Sequence, residues 1–475
     1  MSLPPSPAPL VVGFDLDLTL VDSRPGMAAA LAVVAEEYDA PLPIDELVAK
    51  LGPPLDELLL PYLPAERLGA AVARFREVYP EVAVTPVPAM PGAREALAAV
   101  RGARGRVVVA TGKFTENARR HLDHLALDVD VLEGTVWGVG KAEVLRRECA
   151  SVYVGDHVHD VAGARAAGAV SVSVPGGSSR AELEAAGTDV LLDSLAEFPD
   201  WLREHLLGVR LEALAARLRA AGSVLVAYSG GADSAFLLAA AVRALGADHV
   251  VAATGYSHSL PAAERGPAAE FADTLGVRLL TPATHELDRE GYRANGSDRC
   301  FFCKAELVET LLPLAAEHGL AAVATGTNAD DAVAGFRPGI RAAEERGAIA
   351  PLRDAGLTKE QVRAASRAWG LPTWDKPAAA CLSSRIAYGI EVTPRRLARV
   401  EAAEVACRGR LAPLGLRNLR VRDLGDRARI EVDLELLPLP PGIEAELLAS
   451  VRAAGFDRAE VDPRGFRSGS MNERR

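Results

Sequence analysis

Short apolar runs rich in valine and alanine recur along the chain: LVVGFDLD (10–17), RVVVATG (106–112), SVYVGD (151–156), SVLVAYSGG (223–231), HVVAATG (249–255) and AAVATGTN (321–328). Each passes into a polar or glycine-bearing loop and then into an Ala/Leu/Arg/Glu stretch of helical length, the pattern of parallel α/β architecture. Near-continuous apolar strands of this kind are buried on both faces. Ligands of such sheets collect beyond the carboxyl ends of the strands. The polar residues directly behind these runs are therefore the candidates for chemistry. With 475 residues and about 150 per domain, the chain has room for three folding units.

Charge and cysteine usage narrow the class. The 53 Lys and Arg against 64 Asp and Glu leave a net charge of −11, which disfavours non-specific binding to nucleic acid. Only 5 cysteines occur, so a disulfide framework is not expected. The N-terminus has no basic residue ahead of its short apolar stretch, unlike a secretory signal. No uncharged apolar window is long enough to span a bilayer. The expectation is a cytoplasmic, multidomain enzyme acting on small molecules, with no membrane partner and with homo-oligomerisation left open.

Residues 24–88 lack strand runs and are expected to form a helical cap, about 24–90, inserted into a first α/β unit over 1–200. A boundary is expected near 196–208, before a second α/β unit over 208–390. A third segment, 391–475, differs in charge. It holds 16 Arg against 14 Asp and Glu, leaving −13 on the first 390 residues. It is expected to bind substrate or mediate oligomerisation, and its last residues, SGSMNERR, to form a frayed tail.

The first chemical constellation begins with Asp15, Asp17 and Thr19 in GFDLDLTLVDS, directly behind an apolar run. Two carboxylates at a strand end can serve a hard cation while one attacks phosphorus and the other moves a proton. Thr111 ends a second run, Lys141 follows a glycine-rich turn, and Asp156 and Asp160 lie in VGDHVHD. In this order the set resembles the haloacid dehalogenase (HAD) superfamily of phosphatases over roughly 10–195. The resemblance implies Asp15 as nucleophile, Asp17 as general acid/base, and Thr111 and Lys141 as holders of the phosphoryl group. It also implies Mg²⁺ on Asp15, Asp156 and the backbone carbonyl of Asp17, with Asp160 in support. Leu18 stands where many members of the superfamily have Gly. GTVWGVGKA (134–142) imitates a phosphate-binding GxxxxGK[ST] loop, but its spacing is one residue too long and Ala142 replaces the hydroxyl residue. His157 and His159 are expected to be exposed loop histidines.

The second constellation is Ser229-Gly230-Gly231-Ala232-Asp233-Ser234, a turn between an apolar run and a helix. Backbone N–H groups and hydroxyls at a helix N-terminus cradle phosphates, and Asp233 suits an accompanying Mg²⁺. The loop resembles that of the PP-loop ATP pyrophosphatases, which cleave ATP between the α- and β-phosphates and adenylate a substrate. Downstream lie Asn295, Arg299-Cys300-Phe301-Phe302-Cys303-Lys304, GTNADD (326–331), Arg337-Pro338-Gly339 and Ser384-Arg385. Together they resemble the LarE family, ATP-dependent sulfurtransferases of nickel-pincer nucleotide cofactor biosynthesis, over about 208–470.

That resemblance implies adenylation of a carboxylate of pyridinium-3,5-biscarboxylic acid mononucleotide, then displacement of AMP by sulfur. Cys381 lies where the family places its working cysteine. Two sulfur sources remain open. Cys381 either surrenders its own sulfur, or Cys300, Cys303 and Cys381 hold a [4Fe-4S] cluster carrying an extra sulfide. Ser384, Arg385, Glu404, Arg420 and Arg422 are candidates for gripping the substrate's anionic groups. Trp374 is a candidate ring-stacking, core or lid residue. Cys149 and Cys407 are expected to be small buried hydrophobes. The fold expected overall is α/β, with two Rossmann-like doubly wound parallel sheets and a small α+β C-terminal segment. The alternative is a PP-loop adenylating enzyme for tRNA thiolation or amide formation, with the HAD region as a docking or regulatory module.

Overall fold

The computed structural model describes residues 9–49, 55–333, 337–377 and 380–467; the expected frayed tail lies outside them. The described residues divide into two compact units, one over 9–206 and the other from 207 onward. The architecture is α/β with parallel sheets.

In the first unit, β1 (Val11–Phe14), β2 (Arg106–Ala110), β3 (Val131–Glu133), β4 (Val152–Gly155), β5 (Val170–Ser173) and β6 (Val190–Leu191) form one parallel sheet in the order β3-β2-β1-β4-β5-β6. Alternation sends Val12 and Phe14 into one apolar layer and Val11 into the other, so β1 is buried on both faces, as its unbroken apolar run requires. The order turns at β1, where neighbours of both hands meet. That is where an open sheet leaves a crevice at its carboxyl edge.

Between β1 and β2 the chain forms the helices Arg24–Tyr38, Ile44–Ala49, Leu55–Leu59 and Ala65–Val82. Leu31, Val34, Leu59, Phe75 and Val78 close a separate apolar core there. The inserted segment is therefore a helical cap with packing of its own.

In the second unit, β7 (Val224–Ala227), β8 (Val250–Ala253), β9 (Arg278–Leu280) and β10 (Ala322–Thr325) pair in parallel in the order β10-β7-β8-β9. Val224 and Val226 enter one core, Leu225 and Ala227 the other. A smaller sheet follows. There β11 (Leu419–Asp423) runs antiparallel to β12 (Arg427–Val432), which runs parallel to β13 (Arg458–Val461). The helices Pro394–Leu411 and Pro441–Ala453 supply Leu397, Val400, Leu447 and Val451 to its core, which also takes in Tyr292 and Leu382.

The two units divide between Leu206 and Leu207, inside the expected boundary region 196–208. That division falls in the first half of the continuous helix Phe198–Ala221, whose Phe198 and Leu202 belong to one core and Leu214 and Leu218 to another. Cys407 is buried as expected, whereas Cys149 is exposed. Cys149 falls just past the helix Lys141–Arg147, in a left-handed turn at φ +57°, outside the helical stretch where a buried position was expected. Among the described residues, no helix is long and apolar enough to cross a membrane.

Candidate functional site

The first cleft, about 710 Å³, gathers Asp15, Asp17, Thr111, Lys141, Asp156 and Asp160 from the carboxyl ends of β1, β2 and β4 and from the helices Lys141–Arg147 and Val158–Ala167. Lys141 Nζ lies 2.6 Å from both Asp15 Oδ1 and Asp160 Oδ1. Asp160 also accepts the backbone N–H groups of Asp156 and His157 at 3.2 and 3.1 Å, which fixes the loop behind β4. Asp156 accepts from Thr19 Oγ1 at 3.0 Å and from the Gly177 N–H at 2.5 Å. Oxygen atoms of Asp15, Asp156 and Asp160 all lie within 4.8 Å of one another.

Burial dominates the electrostatics here. Taken out of water, the Asp15 carboxyl is pushed up to about 7 although Lys141 pulls it down. Burial likewise pushes Asp156 well above the carboxylate range, with Asp160 and Asp15 adding repulsion. Asp17 behaves oppositely. Burial pushes it up, but the Lys113 ammonium 2.9 Å away, with hydrogen bonds, leaves it below its usual value. Three acids thus cluster around a single ammonium that pairs with Asp15 and Asp160 alone, and two of the three are held unfavourably as anions. An all-oxygen set with excess negative charge is what Mg²⁺ selects, so these residues fit a divalent cation.

Residues that the motifs did not reveal complete the site. Lys113 Nζ reaches Tyr79 Oη at 2.9 Å, and Tyr79 Oη meets His121 Nε2 at 2.9 Å. Tyr79 comes from the cap. Lys113 was the legible one, since it stands two residues behind Thr111. His157 is not a loop histidine but caps the helix Val158–Ala167, its Nδ1 accepting from the His159 N–H; His159 is exposed on that helix's first turn. Leu18 holds the left-handed backbone at φ +58° that glycine would adopt freely, a cost of about 1 kcal/mol.

The second cleft, about 440 Å³, is lined by Ser229, Gly231, Asp233 and Ser234 together with Cys303, Lys304 and Cys381. Gly230 sits at φ +71°, a conformation open to glycine. The turn is closed by Ser229 Oγ and Ser234 Oγ at 3.1 Å and by Lys376 Nζ donating to the Gly230 carbonyl at 2.9 Å. The helix Ala232–Leu245 starts here, so its free N–H groups and Ser229 and Ser234 form an anion cradle. Burial pushes the Asp233 carboxyl up, against the pull of Lys359. A polyphosphate nucleotide fits this donor set.

Cys300 and Cys303 share the first turn of the helix Arg299–Glu317; Cys300 is exposed and Cys303 half-buried. Burial first, then the neighbouring Cys381, pushes the Cys303 thiol up. The Cys381 loop is held from beneath. Arg385 Nη1 donates to the Cys381 carbonyl at 2.7 Å and Ser384 Oγ to the same oxygen at 2.7 Å. Below it, Tyr292 Oη meets Ser259 Oγ and Ser383 Oγ, each at 2.5 Å. Asn295 Nδ2 donates to the carbonyls of Ala387 and Ile390, both at 2.9 Å.

The candidate substrate-gripping residues are placed differently from the others. Ser384, Arg385, Glu404, Arg420 and Arg422 are not among the residues lining the cleft. Arg385 is buried against Glu404 at 2.9 Å and Arg422 against Glu431 at 2.8 Å. Burial, then Arg385, lowers Arg420 to about 10. Trp374 is partly exposed beneath the Arg367 guanidinium.

The family model for haloacid dehalogenase-like hydrolases matches residues 12–165, and a second, HAD-hydrolase-like model matches 140–198. An uncharacterized protein of Synechocystis is 40% identical over 250 residues, 52% of this chain and 91% of its own length. The pyridinium-3,5-bisthiocarboxylic acid mononucleotide synthase of Lactiplantibacillus plantarum is 33% identical over 267 residues, 56% of this chain and 95% of its own. A phosphoglycolate phosphatase of Caulobacter vibrioides is 31% identical over 217 residues, 40% of this chain and 88% of its own. The chain is thus an enzyme that belongs to two families, the haloacid dehalogenase-like hydrolases in its N-terminal region and the LarE-type pyridinium-3,5-bisthiocarboxylic acid mononucleotide synthases in its C-terminal part.

Proposed function

We propose that the C-terminal part transfers sulfur, at the expense of ATP, to a carboxylate of pyridinium-3,5-biscarboxylic acid mononucleotide, and that the N-terminal part hydrolyses a phosphomonoester. In this reading 1–200 is the hydrolase, 208–390 the ATP pyrophosphatase, and 391–475 its substrate-binding or oligomerisation segment. The observation that carries it is that the Ser229–Ser234 loop and the thiol-bearing Cys303 and Cys381 line one cleft. A carboxylate is a poor electrophile, so activation must precede attack by sulfur, and the two chemistries have to share a site.

Backbone N–H groups and hydroxyls of Ser229, Gly230, Gly231 and Ser234, at the N-terminus of the helix Ala232–Leu245, hold the ATP phosphates, and Asp233 would hold an accompanying Mg²⁺. The substrate carboxylate attacks the α-phosphorus, pyrophosphate leaves, and sulfur then displaces AMP from the acyl-adenylate. Cys300, Cys303 and Cys381 fit an iron–sulfur cluster as two thiols of one helical turn and a third from the facing loop. Bound there, a cluster would supply the sulfide, whereas without one Cys381 is itself the donor. Arg385 and Ser384 position the Cys381 backbone, and Glu404 holds Arg385. Arg422 steadies the same loop through the Ser384 carbonyl at 3.3 Å.

At the hydrolase site Asp15 is the nucleophile, and Asp17 exchanges the proton with the leaving oxygen. Thr111 and Lys141 hold the phosphoryl oxygens. Asp15, Asp156 and the Asp17 backbone would hold Mg²⁺, with Asp160 in support; the ion would neutralise charge on the phosphoryl group.

The deciding experiment is ATP–pyrophosphate exchange. Stimulation by the pyridinium dicarboxylate mononucleotide is expected. No response to it, with response to another carboxylate or to tRNA, would overturn the sulfurtransferase reading.

A further inference from the structure

The hydrolase cleft is far larger than a phosphoryl group requires, and part of its lining has no role in the reaction. Phe114 and Trp137 both line it, yet are 55% and 42% exposed. They flank the phosphoryl-binding residues in sequence, Phe114 three residues after Thr111 and Trp137 four before Lys141. Trp137 lies against Gly112, where a Cβ would come within 2.9 Å of its ring. Two exposed aromatic rings beside a polar centre are a surface for a flat ring to cover.

Two cations line the same cleft, Arg76 on the cap helix Ala65–Val82 and Arg120 on the helix Thr115–His124. Arg74, one residue pair away, is satisfied by Glu37 and Glu77 at 2.7 and 2.8 Å. Arg76 and Arg120 make no ion pair among the described residues, although Asp56 and Glu116 also line the cleft. Their helices are joined directly beside them. Tyr79, one turn beyond Arg76, meets His121, the neighbour of Arg120, at 2.9 Å. The same hydroxyl accepts from Lys113, which reaches Asp17. The arginines therefore flank a hydrogen-bonded chain that ends at the reacting carboxylates.

We propose that the hydrolase cleft takes a mononucleotide whose ring bears a carboxylate: the phosphate at Asp15, the ring against Phe114 and Trp137, and the ring carboxylate on Arg76 and Arg120. This rests on the hydrolase reading of the site. Asp15 displaces the nucleoside from phosphorus, its 5′ oxygen leaving with a proton from Asp17, and water then hydrolyses the aspartyl-phosphate to inorganic phosphate and free Asp15. A two-carbon phosphomonoester would leave both rings and most of the cavity unfilled. The carboxylated pyridinium mononucleotides proposed for the C-terminal part belong to the same chemical class.

The test compares nicotinate mononucleotide with nicotinamide mononucleotide, which differ by the ring carboxylate, alongside 2-phosphoglycolate and p-nitrophenyl phosphate. The full chain is expected to favour nicotinate over nicotinamide mononucleotide by about tenfold in kcat/KM, the worth of a charged hydrogen bond. That ratio should fall towards one in Arg76→Gln and Arg120→Gln, and Phe114→Ala should raise KM for both nucleotides. A wild-type ratio near one, a ratio untouched by both arginine variants, or faster turnover of 2-phosphoglycolate would overturn the assignment. Absence of Asp15-dependent turnover of p-nitrophenyl phosphate would instead overturn the hydrolase reading itself.

Discussion

Arg299 Nη1 donates to the backbone carbonyl oxygen of Ser383 at 2.8 Å, fastening the helix that bears Cys300 and Cys303 to the loop that bears Cys381. Arg299 is buried and its guanidinium also bonds Asn295 Oδ1 at 2.5 Å. Arg299→Met leaves the Asn295 Oδ1 without a donor and the Ser383 carbonyl with only the Ile386 N–H, a loss of about 1–3 kcal/mol, concentrated where the cysteines meet. ATP–pyrophosphate exchange is expected to stay within a few-fold of wild type, while thiocarboxylate product falls by at least about tenfold. Equal loss of both would show that Arg299 supports the whole fold rather than the sulfur centre.

The sulfur source separates by mass and colour. Anaerobically purified protein is expected to show iron–sulfur absorbance in the visible range, removed by Cys300→Ser. If the intact mass after turnover shows Cys381 short of one H₂S and the protein is colourless, the cysteine is the donor and the cluster reading fails.

Three carboxylates clustered together, only two of them paired with the Lys141 ammonium, should make the hydrolase unit sensitive to divalent cations. Mg²⁺ at about 100 times its Kd would add about 2.7 kcal/mol to the stability of the unit that binds it. Thermal melts with Mg²⁺ and with chelator are expected to differ in wild type and to converge in Asp156→Asn. Asp15→Asn is expected to reduce p-nitrophenyl phosphate hydrolysis to background.

His121 is buried, lowered to about 4 by that burial and then by Lys113, and its Nδ1 has no partner among the described residues. Because the folded value lies below the unfolded one near 6.5, the unfolded chain takes up the proton first. The contribution of a neutral His121 is therefore present above about pH 6.5 and lost as the pH falls towards 4. The loss amounts to at most about 3 kcal/mol. Urea melts of wild type and His121→Phe between pH 7 and pH 4.5 should show the wild type losing more stability. Parallel curves would show that His121 does not titrate in this window.

The strands that stood out in the sequence are those buried on both faces, because only there does the chain need an unbroken apolar run. β5 escaped notice because Ser171 and Ser173 interrupt it; both are buried, satisfied by Asp189 and Thr188. β3, β6 and β9 are two or three residues long, too short to show a period. The carboxylates, Thr111 and Lys141 were legible because strand ends fix where loops point. Tyr79 and His121 were not, since their partners are 34 and 42 residues away and meet only when the cap folds down. Arg385 and Arg422 illustrate the converse. Arginines near a motif suggest ligand binding, but Glu404 and Glu431 lie on other elements, and spacing alone cannot show that they are already engaged.

The unbroken helix Phe198–Ala221 bears on how the two activities could ever be separated. A cut at the division between Leu206 and Leu207 would fall in mid-helix, leaving each fragment with a frayed end. A fragment ending before Phe198 would strip an aromatic side chain from the hydrolase core, and one beginning after Leu218 would strip two leucines from the other. Evolutionary fission of this gene, or its dissection in the laboratory, would have to duplicate the helix rather than divide it.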